Sequence, residues 1–257
     1  MATEFFSWKE STAQHSEFVA EHGTRTSLGI RSTGQLATTS PWNYEINVNS
    51  WYGTASYRGQ TVNLVGPQSS QTFNSSTDYE GGRVQLDLIH PVMERAGSGQ
   101  VVLEGVLSLG TDNWLRTIHG GRLANNTNVS GYSELYQDVY AKTGIKLHGY
   151  LFGQPHQLQL GVRLPIYTEE TVYLDSLNTA VSLRPEGNRG IYLNWELSPY
   201  EPGSRIPSVA FFMEYTEYSA SPVQSFSFSN ASGVYQSKLY QPSSTAQVSG
   251  INLLWSF

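Results

Sequence analysis

The feature that most constrains this chain is an alternation of apolar and polar residues that recurs along its whole length. It is clearest in the last segment, where alternate positions are apolar: Ile251, Leu253, Trp255 and Phe257. On the opposite face Gly250, Asn252 and Ser256 are small or polar. Side chains of a β-strand point alternately to opposite faces, so this period of two predicts a strand with one apolar and one polar face.

The same alternation marks nine further segments, which gives a prediction of ten strands. These segments are centred on Phe6–Trp8, Thr26–Arg31, Tyr44–Tyr57, Val84–Leu88, Leu103–Leu109, Gly131–Tyr150, Leu158–Ile166, Ile191–Leu197 and Val209–Tyr215. Most of them approach the roughly 9–11 residues that a tilted strand needs to cross a bilayer. The count becomes twelve if Val223–Ser229 and Val234–Gln241 also cross, but each has only about seven or eight residues, short of that span.

The C-terminal segment resembles the last strand of Gram-negative outer-membrane β-barrel proteins. In that family the terminal aromatic residue and the alternating apolar residues before it are read by the barrel assembly machinery. Ile251, Leu253, Trp255 and Phe257 are therefore the expected assembly signal, although Ser249 stands where the family usually has a further aromatic residue. The stretch from Phe6 to Arg31 also resembles proteobacterial barrel proteins of the small-barrel type.

This resemblance implies an all-β fold in which residues 1–257 form one closed antiparallel transmembrane barrel. It implies a location in the bacterial outer membrane, with outer-membrane lipid, lipopolysaccharide and the assembly machinery as partners. The alternative is a soluble β-sandwich whose last strand happens to end in Phe. The connectors favour the barrel, because short and long ones alternate, as periplasmic turns and extracellular loops do. The predicted long loops are Arg58–Ser76, Gly110–Ser130, Tyr167–Asn188 and Ser219–Ala246, the last with a hairpin around Asn230–Gly233.

Composition agrees with this class of fold and excludes several others. Charged residues make up only 14% of the chain and aromatic residues 12%, as expected for a surface that faces hydrocarbon between aromatic belts. No apolar run is long enough for a transmembrane helix. The chain has no cysteine, which rules out disulfides and thiolate metal sites, and we expect no metal or cofactor. A net charge of −6 argues against nucleic acid as a partner.

The polar faces of the predicted strands carry charges of both signs, which we expect to line the lumen: Arg25, Arg31, Glu45, Arg83, Asp87, Glu104, Glu134, Asp138, Lys142, Arg163, Glu196 and Glu214. The apolar faces should point outward, which places Phe6 and Trp8 outside and Lys9 inside. Unpaired charges in a narrow interior are costly, so these side chains should form ion pairs. Side chains just fill a barrel of eight strands, and sixteen strands leave a pore, so ten predict a narrow or closed lumen. The network is then either structural packing or a narrow, porin-like channel for a small polar solute.

Two further functions stay open. Four residues of the predicted loop Gly110–Ser130 are candidates for binding lipopolysaccharide or a surface protein partner: Trp114, Arg116, His119 and Arg122. Small barrels of the family also include lipases and omptin-like proteases, which need a histidine beside a serine or aspartate. His119 lies in the same loop and could meet Asp112 or Asp175. No pair is adjacent on one strand face, so we assign no catalytic residue and expect no enzyme.

Overall fold

A closed ring of ten antiparallel strands forms the molecule. The structure, a computed structural model, describes residues 1–11, 17–61, 71–95, 101–123, 125–151, 153–186, 188–199, 206–230 and 233–255. The barrel strands are β1 (Ala2–Ser11), β2 (Glu17–Gln35), β3 (Asn43–Gln60), β4 (Thr72–Arg95), β5 (Val101–Ile118), β6 (Tyr132–Leu151), β7 (Gln154–Leu174), β8 (Arg189–Leu197), β9 (Ser208–Tyr218) and β10 (Ser243–Leu254).

Strand pairing shows that the ring is complete. Each barrel strand pairs with its neighbours in the sequence, and β1 pairs with β10 through a register that runs from Ala2–Asn252 to Ser11–Ser243. A sheet closed in this way leaves no edge of unpaired backbone groups. The predicted closed antiparallel barrel of ten strands is confirmed, and the sandwich is wrong. The count of twelve is also wrong, because Gln224–Asn230 and Gly233–Leu239 pair only with each other, as the predicted hairpin.

The strands reach further toward one end of the barrel than the sequence pattern indicated. We call this the upper end; β1, β3, β5, β7 and β9 end there, whereas β2, β4, β6 and β8 end at the opposite, lower end. β4 already begins at Thr72, β5 continues to Ile118 and β7 continues to Leu174, so large parts of three predicted loops are strand. The pattern misses these extensions because their outer faces are polar, which removes the apolar–polar contrast. The sorting of connectors into short and long stays a prediction.

Apolar side chains form a belt around the outer wall. Its exposed members include Leu28, Ile30, Ile46, Val48, Val84, Leu86, Leu107, Leu109, Leu160, Val162, Leu164, Ile191, Phe211, Met213 and Ile251. Trp255 is exposed, whereas Phe257, the last residue of the expected assembly signal, lies outside the described residues. One strand faces the other way from the prediction: Phe6 and Trp8 are buried inside, while Phe5 and Lys9 point outward. Phe6 and Trp8 pack among the buried aromatic residues of the barrel interior. This burial outweighs the simple rule that the apolar face of a barrel strand points outward.

The upper half of the interior is rich in aromatic residues. Trp114 stacks on Tyr136 with ring centroids 4.8 Å apart, and Trp8 contacts the same tyrosine edge-on. A smaller cluster above it, Val172, Val181 and Leu183, packs against Phe226 and Leu239 of the hairpin. The hairpin is therefore anchored on the extension of β7 rather than free in solvent. Among the described residues no helix is long and apolar enough to cross a membrane.

Candidate functional site

The lumen is the most distinctive chemical feature of the barrel, because ion pairs cross it at three levels. Alternation along each strand directs one charged residue after another inward, and closure brings strands that are far apart in the ring within reach of each other. The three groups of ion pairs are called here the upper, middle and lower layers.

The middle layer joins opposite walls of the barrel. Arg83 on β4 contacts Glu214 on β9 at 3.1 Å, and these strands lie half a ring apart. Arg83 also binds Asp112 through two hydrogen bonds of 2.7 Å. Lys142 reaches Glu214 at 2.9 Å, and Arg163 also contacts this carboxylate. One glutamate thus receives cations from three other strands.

Arg163 connects several members of the middle layer, because it contacts two aspartates as well as Glu214. Its guanidinium bonds Asp112 at 2.8 Å and Asp138 at 2.6 Å, and it lies 3.8 Å from the centroid of the buried Tyr140 ring. Three cations, Arg83, Lys142 and Arg163, face three carboxylates, Asp112, Asp138 and Glu214. The layer is therefore balanced in formal charge, as burial of so many ions requires.

The upper layer is built on Arg116 and has an excess of acid. This fully buried guanidinium contacts Glu10 at 2.9 Å, Glu21 at 2.5 Å and Glu134 at 2.5 Å. Tyr79 and Thr77 donate further hydrogen bonds to Glu21. Because β1, β2, β5 and β6 all contribute, the layer closes the space beneath the upper mouth.

The lower layer lies toward the lower end and is more exposed. Arg31 on β2 reaches across to Glu196 on β8 at 2.9 Å and contacts Glu45 at 3.4 Å. Lys146 on β6 approaches the same Glu45 at 3.6 Å. His148 and Glu104 form a pair nearer the rim, 2.7 Å apart. The lumen is thus bridged at its bottom as well as at its centre.

All twelve charged residues expected in the lumen lie on inner strand faces. Eleven take part in the pairs above or in the neighbouring Arg25–Glu4 pair of 2.7 Å, and Asp87 accepts a hydrogen bond of 2.7 Å from Gln85. The sequence reasoning missed partners of equal importance, namely Glu4, Glu10, Glu21, Asp112 and Lys146. Continuing the alternation through the upper extensions of β2 and β5 would have found Glu21 and Asp112.

Two of the four residues assigned to a ligand-binding loop are not in a loop. Trp114 and Arg116 lie on the inner face of β5, and both are buried. Their partners in the interior explain this placement: Tyr136 for the indole and three glutamates for the guanidinium. His119 and Arg122 do lie at the exposed upper surface, where Arg122 bonds Asn128 at 3.2 Å. The prediction of one common site for these four residues is wrong.

His119 does find an acidic partner, but neither of the two predicted. Its Nε2 lies 2.8 Å from Asp78, whose other oxygen accepts a 2.8 Å hydrogen bond from Thr54. This pair sits on the outer wall above the apolar belt, where the hydrogen bond from His119, followed by that from Thr54, lowers the pKa of Asp78. Ser75 donates to the backbone oxygen of His119 rather than to its ring. Within the described chain, the ring has no hydroxyl partner that could serve as a nucleophile.

Comparisons with known proteins give no family for this chain. No protein-family model matches the chain, and no curated protein matches its sequence. Similar solved structures include the outer membrane protease OmpT from Escherichia coli, with 10% identity, a TM-score of 0.48 and coverage of 100% of this chain and 93% of that one.

Two autotransporter domains are also similar. The translocator domain of NalP from Neisseria meningitidis has 12% identity, a TM-score of 0.37 and coverage of 100% of this chain and 86% of that one. The β domain of Bordetella BrkA has 11% identity, a TM-score of 0.38 and coverage of 100% and 98%. We assign the fold, a closed antiparallel β-barrel of ten strands, from this chain's own strand pairing.

Proposed function

We propose that this chain is an integral protein of the bacterial outer membrane with a closed lumen, and that it has a structural role rather than acting as an open channel. The observation that carries the proposal is the Arg83–Glu214 pair, which joins opposite walls of the ring at 3.1 Å. A solute moving along the barrel axis would have to break it.

The outer wall supports the location in a membrane. Ile30 and Leu28 are 77% and 68% exposed, and the belt to which they belong continues around the ring. In water such a surface would be an aggregation liability, whereas in a bilayer it is the expected contact with hydrocarbon. Closure of the sheet also satisfies the backbone groups that lipid cannot pair.

The lower and upper layers support closure of the lumen. Arg31–Glu196 and Arg116–Glu10 each join strands that are four positions apart in the ring. Buried ion pairs with several hydrogen bonds resist removal of either partner, because an uncompensated charge would be left behind. Three such layers in series support a lumen that a solute could cross only by breaking ion pairs.

The experiment is a conductance measurement on the full chain in a planar lipid bilayer. Protein that has inserted, as shown by protection of its strands from protease in vesicles, should give no discrete current steps. Discrete steps from the inserted wild-type protein would overturn the closed lumen and favour a small channel. Protein that stays monodisperse in buffer without detergent would overturn the membrane location itself.

The proposal implies certain partners and no catalysis. The partners are outer-membrane lipid, lipopolysaccharide and the assembly machinery that would read Ile251, Leu253 and Trp255 during insertion. The Asp78–His119 pair is the only support for the hydrolase alternative within the described chain. Turnover of a lipid ester or a peptide that His119→Ala abolishes would contradict the absence of catalysis.

A second function, binding of a surface partner, is supported by the upper hairpin. Near the tip of the hairpin Val234 is 75% exposed, and at its base Val223 is 58% exposed and Tyr240 is also exposed. Exposed apolar groups on an anchored element fit a protein contact better than a lipid contact at this height. Surface cross-linking of whole cells should then trap a partner that the double variant Val223→Ser/Val234→Ser no longer traps; equal trapping would remove this function.

A further inference from the structure

A groove on the outer wall, separate from the lumen, is formed by strands β3 to β6. It has a volume of about 460 Å³. Four side chains on its sides are direct neighbours in the strand register, Tyr52 opposite Glu80, Glu80 opposite Leu115, and Leu115 opposite Leu135. The outer face of one row thus supplies an aromatic ring, a carboxylate and two aliphatic side chains.

Two consecutive glycines thin the wall at the groove. Gly81 is one of its lining residues and points inward, where an added Cβ would lie 2.6 Å from Trp114 and 2.8 Å from Trp51. The floor is therefore Gly81 with the two indoles packed behind it. Gly82 borders the groove on the outer face, opposite Asn113 in the strand register, and a Cβ added there would meet the backbone oxygen of Asn49 at 3.2 Å.

The height of the groove determines what could occupy it. Along β4, Val84 and Leu86 of the apolar belt lie immediately below, and Asp78 with its His119 partner lies immediately above. An occupant at this boundary must be amphiphilic, with its apolar part over the belt and its polar part in the groove. The groove is continuous with the surface that lipid would cover in the proposed membrane location.

The polar groups in the groove determine which kind of headgroup an amphiphile bound there can have. Glu80 is exposed and forms no ion pair with any described residue, and Asn113 has a single long hydrogen bond, of 3.4 Å, to Thr111. A carboxylate and an amide oxygen accept hydrogen bonds from hydroxyl groups, and the exposed Tyr52 ring offers an apolar face. An anionic headgroup would instead be repelled by the carboxylate.

We propose that this groove binds the sugar headgroup of a glycolipid. Glu80 and Asn113 accept hydrogen bonds from the sugar hydroxyls, Tyr52 packs against the sugar ring, and the acyl chain lies over Val84 toward the belt. This inference rests on the proposed membrane location, because the groove is useful only where lipid covers the wall.

The experiment uses the full chain in a polyoxyethylene detergent, with dodecyl maltoside as the glycolipid probe. Native mass spectrometry should show one maltoside adduct that saturates. Gly82→Leu, which places a bulky side chain beside Asn113 at the edge of the groove, should weaken binding at least tenfold. Glu80→Gln should weaken it about tenfold, the effect of losing one hydrogen bond to a charged acceptor. Gly105→Leu is the matched control: it lies on the outer face away from the groove, and the nearest neighbour of an added Cβ is Val92 at 3.5 Å.

Three outcomes would overturn the proposal. The first is equal binding of maltoside by wild type and Gly82→Leu. The second is binding of dodecyltrimethylammonium in preference to maltoside, which would make Glu80 a site for cations. The third is an adduct that does not saturate, as for detergent adsorbed anywhere on the belt. A wrong membrane location would be recognised separately, because the purified protein would then stay monodisperse in buffer without detergent.

Discussion

At the scale of single residues, Arg116 shows how strongly the interior depends on one cation. Its guanidinium is fully buried and forms ion pairs with three glutamates on three different strands. Neighbouring aromatic rings exclude water, which removes any alternative solvation for those carboxylates. Loss of the cation should therefore cost far more than loss of an arginine on the surface.

We predict that Arg116→Gln lowers the free energy of unfolding by about 3–5 kcal/mol, the cost of leaving buried charges without their partner. Urea unfolding of the protein inserted in vesicles measures this. Arg58→Gln is the matched control, since Arg58 pairs with Glu17 at the surface with its side chain 63% exposed; a change below about 1 kcal/mol is expected there. Equal effects of the two variants would contradict the central role of Arg116.

A second residue-scale prediction concerns the close approach of β6, β7 and β8. Gly144 and Gly161 lie opposite each other, and Tyr192 packs over both. A Cβ at Gly161 would clash with the backbone oxygen of Thr143 and meet the Tyr192 ring at 2.8 Å. Gly161→Val should push the two strands and this ring apart and destabilise the barrel by about 1–3 kcal/mol, as overpacking does. Thermal unfolding followed by circular dichroism checks this, with Gly105→Val as control. Unchanged unfolding of Gly161→Val would contradict the close approach of these strands.

At the scale of elements, the upper hairpin is held by few contacts. Phe226 and Leu239 pack on Val181 and Leu183, and a pair of 2.9 Å hydrogen bonds joins Ser221 to Gln241 at its base. Strand pairing connects the hairpin to nothing else in the described chain. Its local stability should therefore be separate from that of the barrel.

We predict that Phe226→Ala speeds protease cleavage within the hairpin at least fivefold and leaves barrel unfolding nearly unchanged. The reason is that the aromatic ring is one of two anchors to Val181 and Leu183, whereas the barrel is closed without it. Limited proteolysis of the inserted protein measures the rate. Val234→Ala, at an exposed position of the same hairpin, should leave it unchanged; equal acceleration by both variants would argue against anchoring through Phe226.

The same elements show what sequence reasoning could reach. Every barrel strand contains a predicted segment, because an apolar outer face and a polar inner face alternate visibly within the belt. Above the belt the outer face also becomes polar, so Trp114 and Arg116 looked like loop residues although they continue the inner face of β5. The orientation of β1 was missed for a related reason: its inner face carries Phe6 and Trp8, and both faces of a short strand then appear apolar.

Contacts across the ring could not be predicted at all. Arg83 and Glu214 are far apart in sequence, and nothing in either local pattern specifies that the two side chains meet. The partner depends on strand tilt and stagger, which fix the height of each residue only once the ring has closed. The lumen was therefore predictable as a mixture of charges, but its three layers were not.

At the scale of the whole molecule, the layers act in series, and this gives the last prediction. Removing one layer should leave two others across the axis, so single-layer variants should conduct no more than wild type. The variants are Arg31→Ser/Glu196→Ser, Arg83→Ser/Glu214→Ser and Arg116→Ser/Glu21→Ser, each of which removes a cation together with its partner. Combining all three should produce discrete current steps in a planar bilayer, because each layer has then lost the ion pair that joins its most distant strands.

Folding of each variant is checked by its circular dichroism and by protease protection in vesicles, so that a collapsed barrel is not mistaken for an open one. The middle layer gives the sharpest test, because Glu214 alone receives Arg83, Lys142 and Arg163. If its removal alone opened the barrel fully, a single gate would close the lumen rather than three layers. If the folded combined variant stayed silent, side chains other than these ion pairs would fill the axis.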